Sequence, residues 1–525
     1  MSGAFAWLAV AAAAACVAFL RAAFLRAAAG SGVDHYYWLL AAAAYRADRR
    51  LPAVIPGKYL LEDERQFYPP AFGWLLARLP RSWLAGRGPA ILMQAIDAAT
   101  LLLLAAFAAA RGVEPPSLAA LVLVYGAAPI LASYNCQLTS RALGNLFFTA
   151  SVLALVAASG AGAGEPRFFA WFALAAVATA LTVLTHKMTT QLMLALWPLW
   201  PLVLHDVRIA LVVPAGLLFA VAMTGPRFAR EQWRAHADIV GFWHRHCHLL
   251  GAHAFAHSPV YGDPARLGES AFHDPTWRGR LARAVRAFGY CPLAWLAPLT
   301  LLVAPWPPAW LLAWLLATAA FALLTLYVPF LRCLGGGHLY VFNAAAPAAL
   351  WWADVLPGEA GARIVFLLGC VATAAALRRA YRLRRKGRAG RDRDFEALVQ
   401  HLAALARGRL AVFPLTAADE LACRTPHAVL WGGHSYGFRR LEPIFPVVRE
   451  PLAEVLSRHG CDWLAFDADY LGRCAERVLA ELAGAEVVRF GRWVLVTLAP
   501  QPAQAAASAP AAIGRGGRVM RSCAP

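Results

Sequence analysis

PAWLLAWLLATAAFALLTLYVPFL, residues 308–331, contains no charged side chain. As a helix it is long enough to cross about 30 Å of hydrocarbon. An amphipathic helix on a soluble core would show charge returning at helical period, and here none returns. Working outward, 89–110, 141–159 and 289–304 are further long apolar runs with almost no charge. The composition agrees: of 525 residues 60% are hydrophobic and 15% charged, against about one quarter charged in a soluble domain. About eleven spans can be marked, near 3–20, 89–110, 116–133, 141–159, 167–184, 189–205, 208–224, 289–304, 308–331, 338–356 and 360–377. Residues 4–20 have the length of a signal peptide. They lack a convincing small-residue cleavage site and are followed by Arg21 and Arg26, so an uncleaved first span is expected.

The formal charge of +19 does not point to nucleic acid, because no basic stripe with interleaved aromatics is present. The arginines lie mostly between apolar segments, where membrane lipid headgroups are their partners. Ten cysteines run from Cys16 to Cys523 without a CxxC pair, so neither a zinc site nor a disulfide scaffold is signalled.

The expected organisation is a transmembrane module over 1–377 with two long hydrophilic loops, 21–88 and 225–288. An even number of spans separates the loops, so they share one face, the outer face if the N-terminus is inside. A basic linker, 378–394, follows, then a small α/β soluble domain over 395–500 and an Ala/Pro/Gly-rich tail, 501–525, that reads as disordered. The fold class is therefore an all-α polytopic membrane bundle with a small C-terminal α/β domain. Span parity puts that domain outside, whereas the run from Arg378 to Arg393 favours the cytoplasm by the positive-inside rule.

The first loop opens Gly32-Val33-Asp34-His35-Tyr36-Tyr37-Trp38 and continues through Tyr59-Leu60 and Glu62-Asp63-Glu64 to Tyr68-Pro69-Pro70-Ala71-Phe72. A carboxylate beside aromatics at a membrane face is costly unless solvated or employed. Asp34 suits a general base or a metal-holding group; it equally suits capping of the helix that follows.

This order resembles the GT-C superfamily of membrane glycosyltransferases, which includes protein O-mannosyltransferases, lipid A aminoarabinose transferases and oligosaccharyltransferases. In that superfamily an essential Asp follows the first span, two helices lie along the membrane surface, and an aromatic-Pro-Pro motif often precedes the second. Asp34 and Tyr68-Pro69-Pro70 stand at those places, and loop 225–288 and the C-terminal domain match the layout. Many members carry Asp-Glu where this chain has Asp34-His35. The resemblance implies transfer of a sugar from a polyprenyl-phosphate donor to a lipid, glycan or protein acceptor at the periplasmic face of a bacterial inner membrane. Asp34 is then the general base, Tyr68, Pro69 and Pro70 shape the surface helices, and 225–288 covers the site.

Two other turns on the same face suit a lipid phosphate. Thr139-Ser140-Arg141 offers a bidentate guanidinium, and Thr185-His186-Lys187-Met188-Thr189-Thr190 a point charge beside hydroxyls. Both cations also suit snorkelling to headgroups. Arg332 and His338, around Gly335-Gly336-Gly337, are weaker candidates. His244, His246 and His248 have donors for a divalent metal ion but match no closed-site spacing. Asp97, beside Gln94 in mid-span, fits either a functional carboxylate or an interhelical hydrogen bond. Gly433-x-Ser435-x-Gly437 has the bare spacing of a nucleophile elbow and reads better as a turn after a strand. The competing classes are a transporter or flippase of lipid-linked glycans, for which no inverted repeat is seen, and a non-catalytic membrane subunit.

Overall fold

A computed structural model describes residues 3–27, 33–48, 55, 57–60, 68–162, 164–247, 274, 276–389, 393–433, 440, 442–445 and 449–498. The tail 501–525, the acidic group Glu62-Asp63-Glu64, His248 and the segment bearing Ser435 and Gly437 lie outside the described residues. The chain divides into two compact units. One comprises Met1–Gly30, Tyr68–Cys247 and Arg280–Arg391; the other comprises Ser31–Phe67, His248–Gly279 and Asp392–Pro525.

The first unit is a helical membrane bundle. Among the described residues, seven helices are long and apolar enough to span: Ala6–Ala27, Gly88–Ala110, Ser140–Ser159, Pro166–Val183, Val207–Thr224, Ala309–Tyr327 and Ala360–Arg385. An eighth arises if Trp277–Tyr290 and Pro292–Leu302, bent by 104°, form one span. The remaining expected spans are shorter or broken pieces. Segment 116–133 is two helices, Pro115–Gly126 and Pro129–Tyr134, and 189–205 is Lys187–Leu196 followed by Leu199–Val203. Segment 338–356 holds the 15-residue helix Val341–Val355. Proline accounts for much of this segmentation: it lacks the N–H that continues a helix but fits the first turn of the next. Pro115, Pro129, Pro166 and Pro226 each stand at such a start. The last helix, Ala360–Ala389, continues past residue 377 into the basic run. There Arg384 donates to the Ser133 carbonyl and Tyr381 meets Phe24 edge-on.

The second unit contains a five-stranded sheet: β1 (Arg409–Phe413), β2 (Ala428–Val429), β3 (Trp463–Asp467), β4 (Glu486–Phe490) and β5 (Trp493–Thr497). The strand order is β2-β1-β3-β5-β4, with β1 parallel to β2 and β3, and β5 antiparallel to β3 and β4. β4 carries a polar and largely exposed pattern. Helices Arg393–Ala404 and Leu415–Arg424 belong to this unit, and so does helix Val33–Asp48 from the first loop. Its apolar face buries Tyr37, Trp38, Leu40, Ala41 and Ala44.

Candidate functional site

In the membrane unit, the polar turns marked in the sequence converge. Helix Lys187–Leu196 is N-capped by His186, whose Nδ1 accepts the Thr189 backbone N–H at 3.2 Å and lies 2.8 Å from its hydroxyl. An Nδ1 that accepts a backbone N–H carries no proton, so in the neutral ring the proton sits on Nε2. The cap thereby leaves the other ring nitrogen as a donor. Gly144 makes room for this arrangement: a Cβ there would sit 2.6 Å from the Cβ of His186.

The Tyr68-Pro69-Pro70 motif meets the same turn. All three residues are buried. The next residue, Ala71, donates its N–H to the Leu184 carbonyl at 2.7 Å, so the short helix Ala71–Arg78 starts against the end of the span that leads into His186. Lys187 Nζ stands 5.3 Å from the centre of the Tyr68 ring, a cation–π distance.

Arg141 opens helix Ser140–Ser159, capped by Thr139, whose hydroxyl accepts the Arg141 backbone N–H. Its side chain is only 7% exposed. The guanidinium lies 3.8 Å from the Met188 sulfur and 3.5 Å from the Leu339 carbonyl, over the rings of Tyr134 and Phe342, and its Nε is buried with no hydrogen-bond partner. Among the described residues no carboxylate pairs with it. Burying a cation against sulfur and aromatic rings costs several kcal/mol relative to water, roughly, and an anionic ligand offsets that cost. The positive end of helix Lys187–Leu196, one residue from Met188, adds to the same field.

Helix Pro226–Arg245, from the second loop, covers this region. Tyr340 donates to Gln191 Oε1 at 2.5 Å, and Gln191 Nε2 lies 3.2 Å from His236 Nε2. Burial, with help from Lys187, lowers the His236 pKa to about 4. The ring is therefore neutral near pH 7, with Nε2 accepting from the amide. Sequence reading gave no role to His236, Gln191 or Tyr340, and named Met188 only within the turn 185–190. The available signal for His236 was the sharp amphipathicity of 226–245. His338 joins through aromatic contacts, 5.5 Å from Tyr290, which is 6.1 Å from Tyr134. Burial and the Arg283 cation hold the Arg332 pKa below its ordinary value.

Asp34 lies in the second unit, in the first turn of helix Val33–Asp48 and partly buried. Burial lowers the pKa of the adjacent His35 to about 4, so that ring adds no charge at neutral pH. His244 lies in the last turn of helix Pro226–Arg245, and His246 is its C-cap. His246 packs on Phe242 at 4.8 Å. Among the described residues no three His, Cys, Asp or Glu side chains gather to hold a metal. Gly433 donates its N–H to the Asp419 carboxylate at 3.1 Å, which gives the turn after β2 a structural anchor.

Asp97 proves to be one end of a buried ion pair, 2.9 Å from Arg21. Tyr125 donates to Asp97 at 2.8 Å, Asn145 to Tyr125 at 3.4 Å, and Asn343 to Asn145 at 3.0 Å. The chain of contacts braces five helices. Arg21, read from sequence as a flank of the first span, is the partner that was missed.

No family model and no curated protein matches the chain. Solved structures do. ArnT from Cupriavidus metallidurans bound to undecaprenyl phosphate matches with a TM-score of 0.52 at 14% identity, over 95% of this chain and 99% of that one. The Archaeoglobus fulgidus oligosaccharyltransferase, solved with zinc and sulfate, gives 0.51 at 11% identity over 88% of this chain and 70% of its own. The archaeal oligosaccharyltransferase AglB from the same organism, in complex with an inhibitory peptide and a dolichol-phosphate, gives 0.51 at 10% identity over 90% and 72%. At these identities the likeness shows the fold, and the fold expected from Asp34 and Tyr68-Pro69-Pro70 is the one found: this multi-pass membrane chain has the GT-C fold.

Proposed function

We propose that the protein is a membrane glycosyltransferase that moves a sugar from a polyprenyl-phosphate (or pyrophosphate) carrier to a lipid, glycan or protein acceptor, at the periplasmic face of a bacterial inner membrane. The observation that carries this reading is the buried Arg141 guanidinium, which has no carboxylate partner among the described residues and lies against Met188, beside the His186-capped helix start. Arg141 offers a fork to phosphate oxygens, His186 an Nε2–H donor, and Lys187 a point charge. Tyr68, Pro69 and Pro70 shape the wall beside Lys187, and helix Pro226–Arg245 roofs it. That ArnT binds undecaprenyl phosphate and AglB a dolichol-phosphate supports a carrier of the same class here.

In the reaction, an acceptor hydroxyl or amide attacks the anomeric carbon as Asp34 takes its proton. The new bond to the acceptor forms while the bond from the anomeric carbon to the phosphate oxygen breaks, and the configuration inverts. The electron pair leaves with the polyprenyl phosphate, where Arg141 and Lys187 meet the growing negative charge.

The test is binding of undecaprenyl phosphate to purified protein in nanodiscs. Wild type should bind, and Arg141→Ala should lose roughly tenfold to a hundredfold in affinity, the worth of a charged hydrogen bond. Equal affinity in both would overturn the phosphate assignment.

A further inference from the structure

Within the second unit the first loop is built into the C-terminal domain. Residues 58–60 lie along the free edge of β2 as one more parallel strand: Leu60 donates to the Val429 carbonyl at 2.7 Å, and Val429 to the Lys58 carbonyl at 2.8 Å. This is strand addition to a sheet edge. Side chains lock the register. The Tyr59 hydroxyl donates to Asp419 Oδ1 at 2.7 Å, with Tyr59 1% and Asp419 0% exposed. Gly432 must be glycine for this, because a Cβ there would stand 2.3 Å from Asp419 Oδ1 and 2.4 Å from the Tyr59 ring. Lys58 Nζ donates to the Ala422 and Thr425 carbonyls at 2.6 and 3.1 Å, the cation favoured at a helix C-terminus.

The same helix, Leu415–Arg424, holds the start of helix Val33–Asp48. Tyr36, two residues after Asp34, donates to Glu420 Oε1 at 2.8 Å, and Arg424 braces Glu420 at 2.8 Å and Glu396 at 2.6 Å. A carboxylate that serves as base must be held within a fraction of an ångström of its working position. We infer that the C-terminal domain is a positioning device for Asp34: Tyr36 and Glu420 set the turn that bears it, and Tyr59 with Asp419 anchors the loop behind it. This inference rests on the reading of Asp34 as the base.

Residues 33–60 and 393–498 fold as one unit, so the first loop and the C-terminal domain share one side of the membrane. The basic run from Arg378 then ends on the face that bears Asp34. An even number of crossings between residues 28 and 390 is required, in agreement with the ten spans expected there from the sequence.

The test uses full-length protein in membranes. Impermeant maleimide should label Ala47→Cys and Val487→Cys from the same side, above the wild-type background; labelling from opposite sides overturns the docking. For turnover, Tyr36→Phe and Glu420→Ala should lower kcat roughly tenfold to a hundredfold with donor KM unchanged, while Glu420→Gln, which still accepts from Tyr36, should stay near wild type. Wild-type kcat in Tyr36→Phe and Glu420→Ala, with Asp34→Asn inactive, overturns the positioning role. Full turnover in Asp34→Asn strikes the base assignment instead, and the labelling result still decides the docking.

Discussion

Arg141 holds its guanidinium 3.8 Å from the Met188 sulfur, and among the described residues no carboxylate stands opposite it. A buried charge in that position weakens the unliganded protein. Arg141→Met should therefore raise the apparent Tm of ligand-free protein by a few degrees, roughly. The same variant should lose the stabilisation that polyprenyl phosphate confers on wild type. Thermal shift with and without the lipid phosphate measures both. A lower Tm in ligand-free Arg141→Met would show that the guanidinium is a structural brace.

His186 combines two roles that substitution can separate. His186→Ala removes the cap of helix Lys187–Leu196 and should cost about 1 kcal/mol. His186→Asn keeps a capping acceptor but lacks a donor at the Nε2 position. Its stability should stay near wild type while carrier affinity falls. If stability and affinity fall together in His186→Asn, the donor role is lost as a separate function.

The Arg21–Asp97 pair tests the brace inside the bundle. Asp97→Ala leaves Arg21 buried and uncompensated, and a loss of about 3–5 kcal/mol is expected. Exchanging both residues for apolar ones of similar size should be far milder. Unfolding in detergent, compared across the single and double variants, gives the coupling directly.

The His236 ring contributes to stability in its neutral form, because burial lowers its pKa from 6.5 to about 4. That contribution is complete above about pH 6.5 and is lost as pH falls from there through 4, the range in which the unfolded chain binds the extra proton. The apparent Tm should decline over this interval in wild type and decline less in His236→Gln. Identical slopes would remove His236 from the account.

The bundle was legible because transmembrane helices need uncharged length, and 308–331 has it. The number of continuous helices was not, since hydropathy does not reveal that Pro198 separates Lys187–Leu196 from Leu199–Val203. Arg141, His186 and Lys187 were visible as polar residues at the ends of apolar runs. What assembles them, Met188 under the guanidinium and the Tyr340–Gln191–His236 chain, depends on tertiary packing and leaves no short motif. The docking of Tyr59 on Asp419 was likewise hidden, because an edge strand as short as 58–60 has no period to detect.

The most direct test is sugar transfer in native membranes from labelled polyprenyl-phosphate sugars, comparing wild type with Asp34→Asn at equal protein level. Donor turnover by wild type that falls by orders of magnitude in Asp34→Asn is the result expected of a general base that completes the transfer. Undiminished turnover in Asp34→Asn would contradict the central claim that Asp34 is the base of the transfer.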